Sequence, residues 1–298
     1  MLPFTTFAVV PTMSRNAFCV YSRKQCLMPS FNSPTGPSQA LSGHLFVVTG
    51  SSTGIGKSIA LALAAAGANI VLHGRKQSPC IEETAVEIEQ LGQKAYVALA
   101  DFEDLSMLDD FVETAFEFEG RVTGWINNAG GDVLTSQWKE QPLAAKLEYL
   151  WKTDVASTLL LSRNVGKRLI DQSRIEDQEF ADRATIKPTI VTIGWDQAWQ
   201  GMAGESGELF STTKGAVMAM TKSLAHSLAP FVRVNCIAPG WIQTKWGESA
   251  TPYWDNRAKS ESLMNRWGKP EDVARAALFL CSDQSDFISG QILSLIHI

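Results

Sequence analysis

Acidic residues are missing from the first forty positions, which carry Arg15, Arg23 and Lys24 and are rich in Ser, Thr and Pro. A basic, hydroxyl-rich, acid-poor leader has the composition of an organelle transit peptide. Residues 1–40 are therefore expected to target a plastid or mitochondrion, although a bare N-terminal extension would read the same way. The apolar stretch Leu2 to Val10 has no basic residues before it, which fits a secretory signal poorly. Long apolar runs are absent as well: none approaches the roughly 18 residues needed to span a bilayer, so no membrane partner is expected. Cysteine is sparse. The five thiols (Cys19, Cys26, Cys80, Cys236, Cys281) form no C-x-x-C pair, and the four histidines are widely spaced. That excludes a disulfide framework and gives no metal site. A net charge of -5 gives no reason to expect a nucleic-acid partner.

What is present is a core. Hydrophobic residues make up 45% of the chain against 19% charged, which excludes wholesale disorder. From Leu41 onward, short apolar runs alternate with amphipathic stretches. The strand-like runs are Leu45–Val48, Ile70–Leu72, Ala95–Leu99, one ending at Trp125-Ile126, Thr189–Ile193 and Val232–Ile237, and Phe287–Ile292 reads as the start of a last strand. The longest helices are expected over Ala144–Ile170 and Leu209–Leu228. Continuous apolar strands separated by helices predict a doubly wound α/β fold of the Rossmann type: a mostly parallel, seven-stranded sheet covered on both faces, in one domain over 41–292.

Between the first strand and its helix lies Gly50-Ser51-Ser52-Thr53-Gly54-Ile55-Gly56. Glycines suit a tight turn there, because a Cβ would keep the backbone away from a pyrophosphate. The free N–H groups and positive dipole end of the next helix then meet the phosphates. The turn points to a dinucleotide, but alone it is a weak motif.

Three further features stand in order behind it: Asn127-Asn128-Ala129-Gly130 after the fourth strand, Lys214 in a long helix, and Asn235-Cys236-Ile237-Ala238-Pro239-Gly240 after the sixth. Together they resemble the short-chain dehydrogenase/reductase family, 3-oxoacyl-ACP-reductase-like in overall pattern, from about Leu41 to Ile292. The resemblance implies a nicotinamide cofactor held by Gly50, Ser52, Thr53, Gly54, Ile55, Gly56 and Gly130. It also implies that Asp101 bonds the adenine, that Asn128 and Ala129 line the adenosine ribose, and that Lys214 holds the nicotinamide ribose. Pro239, Gly240, Ile242 and Thr244 would meet the nicotinamide end. A homodimer or homotetramer built through the two long helices is implied on the same ground.

Cofactor choice is read at the end of the second strand, where an acid would favour NAD. Here the chain runs His73-Gly74-Arg75-Lys76. Two cations and no acid favour an extra phosphate, so NADP(H) is expected over NAD(H), with Arg75 and Lys76 as its binders.

The catalytic positions depart from the family. It works with a tyrosine four residues before the lysine, a serine after the fifth strand and an asparagine in the preceding helix. Here those positions read Phe210, Trp195 or Asp196, and Asp154; only Lys214 remains. Phenylalanine cannot transfer a proton, and losing a placed acid-base group costs about 10² to 10⁴ in rate. Three readings stand: a working reductase with Asp196 as substitute acid, its pKa raised by an apolar pocket; reduction of an activated alkene, which needs no phenol; or a catalytically idle NADPH-binding sensor or oligomer partner. Trp241, Trp246, Trp254 and Trp267 crowd the segment after Pro239-Gly240. Trp195, Phe210, Trp241 and Trp246 are thus candidates to hold a flat or apolar small-molecule substrate, though the same indoles could merely pack a lid.

Leu293-Ser294-Leu295-Ile296-His297-Ile298 closes the chain abruptly. The same hexapeptide arises when a common transposon-end sequencing adapter is translated, so residues 293–298 are expected to replace the natural C-terminus. A real terminal strand is the alternative.

Overall fold

The computed structural model describes residues 39–179, 186–248 and 250–295. The proposed targeting segment therefore lies outside the described residues, except for its last two positions.

Seven strands form one sheet: β1 (His44–Val48), β2 (Asn69–Gly74), β3 (Ala95–Leu99), β4 (Arg121–Asn127), β5 (Thr189–Ile193), β6 (Arg233–Pro239) and β7 (Ile292–Leu295). Their spatial order is β3-β2-β1-β4-β5-β6-β7, and every pairing is parallel. Parallel pairing needs long crossovers, supplied here by helices on both faces. Side chains alternate accordingly. Phe46 and Val48 of β1 join Ile59, Leu63, Ile70, Val191 and Val273 on one face. Leu45 and Val47 join Phe111, Trp125, Val165 and Leu224 on the other. Burying each such side chain contributes about 1.5–3 kcal/mol. The doubly wound, seven-stranded expectation holds.

The crossovers are α1 (Gly54–Ala65), α2 (Pro79–Gln90), α3 (Leu108–Glu117), α4 (Leu143–Leu150), α5 (Ser157–Glu179), α6 (Gln197–Gln200), α7 (Glu205–Leu228), α8 (Lys245–Glu248), α9 (Pro252–Glu261) and α10 (Pro270–Cys281). The long helix expected over Ala144–Ile170 is α4 and α5 joined by a π-helical turn, Trp151–Ala156. That widened turn carries Asp154. Such turns mark functional sites in otherwise regular helices.

Two boundaries need correction. The fourth strand is seven residues long, beginning at Arg121, because polar Arg121 and Thr123 and flexible Gly124 conceal it as a pattern. The last strand starts at Ile292 and excludes Phe287, whose side chain is fully exposed. Before it, Ser289 Oγ accepts from Val234 N and Gly290 N donates to the Val234 carbonyl, so a turn docks on β6 ahead of the strand. Leu293, Ser294 and Leu295 pair with Ile237, Ala238 and Pro239.

The chain winds outward from β1 to β3, then returns to β4 beside β1. Ligands in such sheets bind at the carboxyl ends of the strands flanking this reversal. Gly50 follows β1 and Asn128 follows β4 at that point.

Candidate active site

The turn after β1 is closed by its neighbours. Gly50 has φ +63°, and a Cβ there would sit 2.8 Å from the Ala129 Cα. A Cβ on Gly56 would collide with the Gly50 carbonyl oxygen and the Asn128 amide. The Asn128 Nδ2 group donates to the Thr49 and Gly50 carbonyls, both at 3.0 Å. Thr49 Oγ1 in turn accepts from the Asn128 and Ala129 N–H groups at 2.9 and 3.0 Å. The two loops therefore form one hydrogen-bonded block, with backbone bare where a pyrophosphate would approach α1. These residues fit a dinucleotide.

His73 was legible in the sequence only as part of the strand end, yet it anchors this block. The Gly50 N–H donates to His73 Nδ1 at 2.9 Å, so the ring proton sits on Nε2, which donates to the Ala100 carbonyl at 3.0 Å. Ser51 and His73 exchange two more bonds. The imidazole stacks on Phe102 at 4.2 Å and is 2% exposed. Burial pushes its pKa down to about 4, so it is neutral wherever the protein works near pH 7. A lone histidine ending an apolar strand was the available signal.

An 820 Å³ cavity lies over the first half of the site. It is lined by Gly50, Ser52, Thr53, Arg75, Lys76, Asp101, Asn128, Ala129 and Gly130, all expected, and also by His73, Trp138 and Tyr149. Arg75 and Lys76 are exposed. The Tyr149 phenol is pushed upward mainly by burial, against the pull of Arg75.

A second cavity, of 660 Å³, shares Asn128 and Gly130 with the first. Ile55, Pro239, Gly240, Ile242, Thr244 and Lys214 line it as expected. Gly54 is backed by Thr244, 3.6 Å from where its Cβ would lie. Lys214 Nζ pairs with Asp154 Oδ2 at 2.9 Å; Asp154 is 1% exposed. The other oxygen, Oδ1, accepts from Gly131 N at 2.7 Å and Thr153 Oγ1 at 2.9 Å. Trp195 and Phe210 also face the cavity, in edge contact with ring centroids 6.3 Å apart.

Asp196 does not join them. Gly194 N bonds the Ile237 carbonyl and Asp196 N the Pro239 carbonyl, extending the β5–β6 ladder past the strand ends. Successive side chains then diverge. Trp195 enters the cavity, whereas Asp196 is buried at the head of α6 and is not among the lining residues. The structure thus does not bring Asp196 together with Lys214 and Asp154 at the cavity wall. Thr212 and Thr213 return their hydroxyls to helix carbonyls one turn back.

The tryptophans divide between the two roles left open. Trp241 and Trp254 line the cavity, while Trp267 packs on Trp241 and donates to Asp255 at 2.9 Å. The Trp246 side chain lies outside the described residues. One carboxylate, unmarked in the sequence, braces the Trp241 wall. Glu261 at the end of α9 accepts from Trp241 Nε1 at 2.7 Å, Gln197 Nε2 at 2.8 Å and Arg257 Nε at 2.6 Å.

Residues 50–295 match a family model described as enoyl-(acyl carrier protein) reductase. Short-chain dehydrogenase anuF of Penicillium roqueforti is 30% identical over 253 residues, covering 82% of this chain and 91% of that one. The chain belongs to the short-chain dehydrogenase/reductase family. Tropinone reductase-like 3 of Erythroxylum coca is 28% identical to this dehydrogenase/reductase, across 84% of this chain and 90% of its own. Among solved structures, a 7α-hydroxysteroid dehydrogenase with NADH and 7-oxo glycochenodeoxycholic acid has a TM-score of 0.75 at 29% identity, covering 87% and 95%. A 3-oxoacyl (acyl-carrier-protein) reductase from Agrobacterium tumefaciens with NADP bound also scores 0.75, at 25% identity, covering 90% and 98%.

Proposed function

We propose that this family member is an NADP(H)-dependent oxidoreductase with an atypical acid-base site, acting on a small apolar or aromatic substrate. The observation that carries the reading is the pair of cavities sharing Asn128 and Gly130: one rimmed by Arg75 and Lys76, the other holding Lys214 among aromatic walls. When bound, the dinucleotide supplies a hydride donor or acceptor at its nicotinamide ring. The chain's own residues do the rest. The Gly50–Gly56 turn and the α1 N-terminus hold the pyrophosphate, Arg75 and Lys76 favour the extra phosphate, and Lys214 orients the nicotinamide ribose. Trp195, Phe210, Trp241 and Trp254 exclude water from the substrate.

The test is NADPH oxidation against a panel of ketones, quinones, enones, enoyl thioesters and iminium salts; turnover of at least one is expected. Arg75→Ala should weaken NADPH about tenfold and leave NADH unchanged, as loss of one charge-assisted phosphate contact requires. Equal wild-type affinities for the two cofactors would end the NADP preference.

A second reading is favoured by Phe210 and Trp195, which put rings where a proton donor and a polarising hydroxyl are expected. The chain would then bind NADPH without turning it over, as a sensor or oligomer partner. NADPH binding with no turnover across the panel would select it.

Association into a dimer or tetramer is part of the proposal. Leu143, Leu147 and Trp151, spaced four apart, expose apolar side chains along one face of α4, and Leu159 and Leu160 are exposed farther along on α5. A monomer by sedimentation equilibrium would refute it. Organellar import is proposed from residues 1–40, and a reporter carrying them that enters neither plastid nor mitochondrion would refute that.

A further inference from the structure

We propose that the aromatic part of the 660 Å³ cavity, lined by Trp195, Phe210, Trp241 and Trp254, is built for a planar cation, an iminium or N-alkylated heteroaromatic, and that hydride is delivered to the carbon of its C=N⁺ bond. This rests on the oxidoreductase reading for its chemical step, but not for its binding step.

Four observations converge. First, Trp195, Phe210, Trp241 and Trp254 line the cavity, and aromatic faces attract cations. Second, two of these indoles already do so: the Arg257 guanidinium lies 5.7 Å from the Trp241 ring and 5.4 Å from Trp254. Its charge is matched by Glu261 at 2.6 Å. Third, Lys214 and Asp154 are the only ionisable side chains among the described residues lining the cavity, and they pair at 2.9 Å. The carboxylate cancels the ammonium, leaving a cavity of no net formal charge with π-rich walls. A lone ammonium would repel a cationic guest; the paired one does not.

Fourth, the cavity is short of acids. The Asn128 amide hydrogens are committed to Thr49 and Gly50, and the Lys214 ammonium is paired with Asp154 and assigned to the nicotinamide ribose. Ser206 and Thr244 line the cavity with hydroxyls and the Trp241 N–H is held by Glu261, and no hydroxyl or indole releases a proton near neutrality. Adding hydride to a carbonyl leaves an alkoxide that must be protonated. Adding it to an iminium does not. The hydride pair forms the new C–H bond, the C=N π pair becomes the nitrogen lone pair, and the substrate's positive charge passes to the dinucleotide as it is oxidised. The reduced dinucleotide is the reductant, and no proton is consumed. Loss of a phenol is then no loss to the reaction.

The binding arm uses the full chain and isothermal titration at pH 8, comparing N-methylquinolinium with its neutral near-isostere 2-methylquinoline. The cation should bind at least tenfold tighter. Asp154→Asn, which leaves the ammonium uncompensated, should weaken the cation about tenfold and the neutral ligand less than twofold. Trp195→Leu should weaken the cation by about fivefold, and it covers the case in which Asp154→Asn does not fold. Equal affinities in the wild type, or a cation affinity indifferent to both changes, would overturn the proposal. The turnover arm offers N-methyl-3,4-dihydroisoquinolinium, 1-tetralone and cyclohexenone with NADPH. Consumption of the iminium alone, one NADPH per product, is expected. Reduction of the neutral ketone or enone in its place would overturn the proposal and leave the oxidoreductase reading intact. Cation-selective binding with no turnover would keep the site and overturn the hydride step.

Discussion

The two cavities meet at Asn128 and Gly130 yet are built from different material. The dinucleotide half relies on backbone: a glycine turn, helix N–H groups and a histidine that bonds main-chain atoms on both sides. The substrate half relies on side chains: an ion pair, four rings and a carboxylate that ties the Trp241 wall to Gln197 and Arg257. A site made of backbone tolerates little change, because every backbone atom also belongs to the fold. A site made of side chains can be rewritten while the fold stands. On that ground the proposed departure from the family falls at Trp195 and Phe210, among side chains, and not at Gly50–Gly56.

The contrast can be broken most forcefully at Lys214. Lys214→Met leaves the Asp154 carboxylate buried without its counter-charge, and should cost about 3 kcal/mol of stability in urea titrations. Adding Asp154→Asn to it should recover most of that loss. A comparable effect is expected on the cofactor side from pH. The His73 pKa is pushed down to about 4 when folded, from an ordinary value of 6.5. Between those limits the unfolded chain binds the proton and the folded chain does not. The contribution is therefore complete above pH 6.5 and lost as pH falls toward 4. It is on the order of 3 kcal/mol. His73→Gln should flatten that slope, read by thermal melts from pH 7 to pH 4.

Gly56→Ala should raise the NADPH dissociation constant by about a hundredfold, because the added methyl displaces the Gly50 carbonyl, Asn128 or both. The smallest expected effect sharpens the comparison. Phe210→Tyr restores a phenol, but Trp195 still lacks a hydroxyl and Asp154 still holds Lys214. Ketone reduction should rise less than tenfold; a larger gain would mean that the rest of the substrate half had never been rebuilt.

Most of the fold was legible because buried parallel strands read as unbroken apolar runs, and Phe46-Val47-Val48 or Thr189–Ile193 cannot easily be anything else. β4 was seen only at its end because Arg121, Thr123 and Gly124 break the run, although their strand is fixed by pairing with β1 and β5. The dinucleotide turn was legible because glycine spacing is itself the geometry. The hub at Glu261 was not, since it gathers Gln197, Trp241 and Arg257 from three separate segments and only the folded chain puts them within reach of one carboxylate. Asp196 shows the limit from the other direction. Sequence located the loop correctly, but one step of strand alternation decided which of two neighbours faced the cavity.

The π-helical turn at Trp151–Ala156 has a consequence for how such a site changes over generations. Each residue of a helix turns the chain by about 100°, so the residue accommodated in this wider turn sets the heading of everything on one side relative to the other. Deleting a single residue there would restore an ordinary helix and swing Asp154 away from Lys214 or rotate α5 against the sheet. No substitution in the segment could do as much. The cavity's carboxylate is thus placed by a count of residues as well as by the identity of one, and insertions or deletions in this stretch are a route by which relatives could exchange one substrate chemistry for another.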